Sequence, residues 1–146
     1  MNFELTTRTD TGTSQPKLAT ILLVDDDAKL LRALKRHLDE NYRVFTAISS
    51  GEATVFLARE KIDLILSDNL MSGELGTEFL QNIGQRYPNI KRLMLSGYLP
   101  KTVAERIVND CGVHQVLTKP CAITEVELAI RAALSSSEPC LDVVEH

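Results

Sequence analysis

Residues 61–73 read KIDLILSDNLMSG, and the fold follows from how this stretch ends. Leu64, Ile65 and Leu66 form an apolar run, bounded by polar residues, that fits a strand buried on both faces. The run stops at Ser67 and Asp68, and a loop follows. Taken alone, an acid at that point is an ordinary turn former or the cap of the next helix. Its meaning depends on what else the chain brings to the same edge.

Working outward, β-type runs recur at 21–24, 43–47, 64–67, 92–95 and 115–117. Helical patterns separate and follow them. Leu30, Leu34 and Leu38, with Leu31 beside them, mark one apolar face. Val55 with Phe56, Phe79 with Leu80 and Ile83, Val103 with Ile107, and Val126 with Ile130 and Leu134 mark the others. Gly73 and Gly76 precede the third helix, and Pro100 precedes the fourth. Five β-then-α units predict an α/β fold, a doubly wound parallel sheet with helices on both faces. In such a sheet a ligand site lies at the carboxyl ends of the strands.

Residues 1–19 lack apolar periodicity and read as a disordered tail, and 135–146 read as a C-terminal tail or linker. That leaves 20–134 as one domain, a size that supports a single core. A net charge of −4 argues against a nucleic-acid surface, and no apolar run is long enough to span a bilayer. The three cysteines, Cys111, Cys121 and Cys140, are unclustered, which suits a reducing cytoplasm better than a disulfide or metal framework. His37 reads as a solvated helix-face residue.

At the carboxyl edge, strand one delivers Asp25, Asp26 and Asp27, strand three Asp68, strand four Ser96 and strand five Lys119. Asp27 has an ordinary reading as the cap of the first helix, Ser96 as a turn residue and Lys119 as a solvated loop residue. Convergence from four strands is harder to explain that way. Asp25, Asp26 and Asp68 packed together would repel one another, and a divalent cation would relieve the repulsion. Hard oxygen ligands completed by water suit Mg²⁺. A carboxylate beside such a metal can attack phosphorus and become an aspartyl-phosphate. Lys119 and the Ser96 hydroxyl could then take phosphoryl oxygens.

In this arrangement "ILLVDDD", "DLILSDNLMSG", "LMLSG" and "VLTKP", in order, closely resemble the receiver domain of two-component response regulators, over about residues 20–134. The resemblance implies a flavodoxin-like sandwich with strand order 2-1-3-4-5. It implies that Asp68 accepts a phosphoryl group from a sensor histidine kinase or a histidine phosphotransfer protein. Asp25, Asp26, Asp68 and the Leu70 backbone carbonyl would hold Mg²⁺, while Ser96 and Lys119 would respond to the phosphoryl group. Output would pass through the α4-β5-α5 surface to a downstream protein or output domain, without direct nucleic-acid or membrane contact. A homodimer stays open. The chain is thus read as a switch rather than a turnover enzyme.

Several positions depart from the family pattern. Met71 is followed by Ser72 where a proline is usual, and Val116 stands where a switch aromatic is common. Tyr98 offers a partial substitute, and Cys121 replaces the aromatic that often follows "KP". Two rivals remain. A haloacid-dehalogenase-type phosphatase would use the Asp25-x-Asp27 pair, but Lys29 stands where Thr or Val is usual, no later acidic pair follows, and Asp68 would have no role. A phosphorylation-independent interaction module of the same fold would not need the full set of acids, Ser96 and Lys119.

Overall fold

The apolar runs pair into one parallel sheet in the computed structural model, which describes residues 18–71, 74–97 and 99–136. Its strands are β1 (Thr20–Val24), β2 (Arg43–Ala47), β3 (Leu64–Asp68), β4 (Lys91–Ser96) and β5 (Gln115–Thr118), in the order β2-β1-β3-β4-β5. The 2-1-3-4-5 expectation is met. Register brings the strand ends level: Val24 lies opposite Ser67, Asp68 opposite Leu95, and Ser96 opposite Thr118. The five helices are α1 (Ala28–Leu38), α2 (Ser50–Arg59), α3 (Gly76–Arg86), α4 (Lys101–Cys111) and α5 (Ile123–Ser135).

Strand alternation divides the core in two. Ile21, Leu23, Leu64, Leu66, Leu93 and Leu95 pack with α1 and α5, through Leu31, Leu34, Leu38, Val126 and Ile130. Leu22, Val24, Ile65 and Met94 pack on the other face with Ala53, Leu57, Phe79, Leu80, Ile83 and Ile107 from α2, α3 and α4. The central strands are apolar on both faces for this reason.

Three helical expectations shift. Val55 is half exposed, and Ala53 with Leu57 forms the buried face of α2 instead. Leu30 is only partly buried beside Leu31. His37 does not stand free on α1, since its Nε2 lies 2.9 Å from Glu127 Oε1 on α5. Between β3 and α3 the sequence reading missed a two-residue antiparallel ladder, Leu70–Met71 with Glu74–Leu75. Ser72, Gly73 and Tyr98 lie outside the described residues.

Candidate functional site

Each acid is placed by the element that precedes it. Asp25 follows β1 directly, donates its N–H to Ala47 O at 3.1 Å and is only 4% exposed. Its Oδ1 accepts the Asp27 N–H at 2.9 Å, which fixes the carboxylate against the turn into α1. Asp68 is the last residue of β3, 8% exposed, and the next N–H, from Asn69, is bound to Leu95 O at 3.1 Å. Gly76 opens α3 hard against this corner. A Cβ there would sit 2.8 Å from Asn69 Cα and would strike the Asp68 carbonyl, so no other residue fits without moving the loop.

Lys119 is delivered from the far side. Its N–H donates to Ser96 O at 2.6 Å, tying the chain beyond β5 to the end of β4, and the Lys119–Pro120 peptide is cis. Its Nζ lies 3.0 Å from Asp68 Oδ1 and 3.1 Å from Asp25 Oδ2, bridging the two buried carboxylates. Ser96 is the buried last residue of β4. Asp26 is exposed, yet Asp25, Asp26 and Asp68 each offer an oxygen within 4.8 Å of the others. Asp25, Asp26, Asp68 and Lys119 thus meet at one edge, and Ser96 adjoins it through the bond of its carbonyl to Lys119 N. Asp27 stands apart: its Oδ1 accepts the Lys29 and Leu30 amides at 3.1 and 3.2 Å, the ordinary work of a helix cap.

The electrostatics favour binding a cation. Burial pushes the Asp25 carboxyl above its usual range, and the Asp68 charge adds to this, although hydrogen bonds from Asp27 and Lys119 oppose it. Burial works against the Lys119 ammonium, but hydrogen bonds and attraction from Asp68 and Asp25 outweigh it and raise its pKa. Three carboxylates face one ammonium, an excess of negative charge. Asp25, Asp26 and Asp68 each present an oxygen within 4.8 Å of the others, close enough to share one hard cation with water completing its shell. The donor set fits a hard divalent ion.

A family model for the response regulator receiver domain matches residues 21–131. The chain belongs to this family. Among curated relatives, it is 38% identical over 120 residues to the hydrogenase transcriptional regulatory protein HoxA of Cupriavidus necator, covering 82% of this chain and 25% of that one. It is also 38% identical over 129 residues to the transcriptional regulatory protein GlrR of Escherichia coli K12, covering 86% and 28% respectively. The chain thus spans about a quarter of the length of these relatives. A solved CheY-like receiver domain from Methanospirillum hungatei superposes with a TM-score of 0.75 at 28% identity, covering 82% of this chain and 95% of that one. Receivers are signalling domains, and signalling by phosphorylation is the function expected of this one. Among the described residues no helix is long and apolar enough to cross a membrane.

Two of the departures from the family pattern fall on described residues. Val116 is partly buried against the α2-α3-α4 face, and Cys121 is partly buried against the opposite core. One residue the sequence reading passed over is Arg92, buried at the start of β4. A charged residue beside Lys91 at a strand end ordinarily points to water, and nothing in the sequence marks this one otherwise.

Proposed function

We propose that this receiver accepts a phosphoryl group on Asp68 from the phosphohistidine of a sensor histidine kinase or a histidine phosphotransfer protein. The reading takes 20–134 as the switching unit and the flanking segments as tail and linker. The observation that carries it is the double ion pair of Lys119, which holds Asp68 and Asp25 about one ammonium at a level sheet edge. Asp25, Asp26, Asp68 and the Leu70 carbonyl would hold Mg²⁺, which when bound neutralises charge on the transferring group.

An Asp68 oxygen attacks phosphorus, the P–N bond to the donor imidazole breaks, and its electron pair stays on the ring nitrogen. The product is an acyl phosphate on Asp68. Lys119 then exchanges its contact with the carboxylate for a phosphoryl oxygen, and the Ser96 hydroxyl donates to another. Ser96 is bonded through its carbonyl to Lys119 N and heads the connection into α4, so movement there is felt by the α4-β5-α5 face. A downstream protein or an output domain would read that face, as a population shift between two states.

Intact mass after incubation with acetyl phosphate tests the proposal. A gain of one phosphoryl group with Mg²⁺ and none without it is the expected result. Continuous release of phosphate with no adduct would point to a phosphatase, and no adduct under any condition to an inert interaction module.

A further inference from the structure

Arg92 lies at the end of β4 opposite the acidic site, four residues before Ser96 and so about 13 Å from it along the strand. Arg92, Met94 and Ser96 share one face by alternation, and Met94 packs there with residues of α3 and α4. Arg92 is 3% exposed. Its Nε donates to Gly112 O at 2.8 Å, and its Nη1 to Ile90 O at 2.9 Å and Tyr87 O at 3.5 Å. Tyr87 and Gly112 are the C-terminal caps of α3 and α4. Helix ends carry unsatisfied carbonyls and the negative pole of the dipole, so a guanidinium between two of them is well placed. The backbone of Arg92 also grips the loop that follows α4. Its N–H donates to His114 Nδ1 at 3.1 Å, and its carbonyl accepts the His114 N–H at 2.7 Å.

Helix α4 is held unevenly. Its single buried residue is Ile107, whereas α3 and α5 bury four each. Its N-terminal cap, Pro100, makes no side-chain hydrogen bond, and a Cβ on nearby Gly97 would meet nothing within 4 Å. Its C-terminal cap, Gly112 at φ 73°, is fastened to Arg92. Leu99 and Val103 are only partly buried at the first end, whereas a buried guanidinium ties the second to the sheet.

We propose that Arg92 is the pivot of α4, pinning Gly112 to β4 so that the helix moves by swinging its Ser96-proximal end about a fixed C-terminus. The proposal deepens the receiver reading by naming the hinge, and its first readout does not depend on phosphorylation. Residue-level hydrogen exchange on the full chain, with Mg²⁺ and with or without beryllofluoride, tests it. Without beryllofluoride, amides at 109–111 exchange at least about tenfold more slowly than those at 104–106. In Arg92→Lys, which cannot reach both helix ends at once, the gradient shrinks to less than about threefold. Gly84→Ala keeps every donor but places a Cβ 3.1 Å from the Arg92 Cζ, and gives an intermediate gradient. With beryllofluoride the wild-type response is confined to 97–106, and in Arg92→Lys it extends to 114. A flat wild-type profile, or an undiminished gradient in either folded variant, overturns the pivot. A gradient that depends on Arg92 in a chain unresponsive to beryllofluoride supports the pivot and removes the phosphoacceptor reading instead.

Discussion

Arg92 and Lys119 are two cations on neighbouring strands, held in opposite ways. Arg92 sits at the amino end of β4, almost fully buried, with its Nε and Nη1 on backbone carbonyls. Lys119 follows β5 at the other edge, a third of its side chain exposed, and ends on two carboxylates. A carbonyl at a helix end has no alternative charge state, so Arg92 can only hold. A carboxylate can be protonated, bind a metal or be esterified, so Lys119 can change partners. The contrast separates architecture from switching within one small sheet.

The largest effect expected from breaking this contrast is at the architectural end. Arg92→Met should cost about 3 kcal/mol in urea unfolding, because it strands the buried Ile90 carbonyl and the half-buried carbonyls of Gly112 and Tyr87. The acidic site would stay formed, so phosphoryl uptake per folded molecule should persist. Loss of uptake with little loss of stability would reverse the two roles.

His114 sharpens the same side. Burial, followed by the Arg92 and Lys91 charges, lowers its pKa to about 4 from 6.5, and its Nε2 is buried without a hydrogen-bond partner. The unfolded chain therefore binds more protons between pH 6.5 and 4. Stability from the neutral imidazole is fully present above pH 6.5 and is lost as pH falls toward 4, a change on the order of 2 kcal/mol. His114→Asn, which keeps an acceptor for the Arg92 N–H, should flatten stability against pH over that window. An unchanged slope in the variant would rule out His114 as its source.

Lys119→Met should cost less in folding, about 1–2 kcal/mol from two carboxylates left without their shared donor. Its effect on function should be larger. Removal of a competing ammonium tightens Mg²⁺ binding roughly tenfold while slowing phosphoryl uptake, since the developing charge loses a partner. Calorimetric titration showing weaker Mg²⁺ binding would contradict the electrostatic picture. The smallest effect belongs to Asp27→Ala, about 0.5–1 kcal/mol for a lost helix cap. Uptake of phosphate should be unchanged, and its abolition would revive the Asp25-x-Asp27 chemistry.

This division also explains which residues the sequence disclosed. Asp25, Asp68, Ser96 and Lys119 lie at the ends of strand runs, so a parallel sheet suffices to put them on one edge. Asp27 was legible as a cap because side-chain capping is local. Arg92 was not legible, because its partners come from the ends of two helices whose approach depends on the packed fold. The same holds for the pairing of His37 with Glu127 across α1 and α5, residues 90 positions apart. Val55 misled because a β-branched apolar residue beside Phe56 looks like a core face, and the turn of α2 puts Ala53 and Leu57 inward instead. The ladder at Leu70–Met71 is too short to carry a period.

Asp68 is the residue on which the proposed phosphoryl transfer ends. The most direct measurement is intact mass of wild type and Asp68→Asn after acetyl phosphate with Mg²⁺, followed by peptide mapping of any adduct. One phosphoryl group on the peptide containing Asp68, absent from the variant, is the predicted result. An equal gain in Asp68→Asn, or an adduct on Asp25 or Asp26 in the wild type, would contradict it.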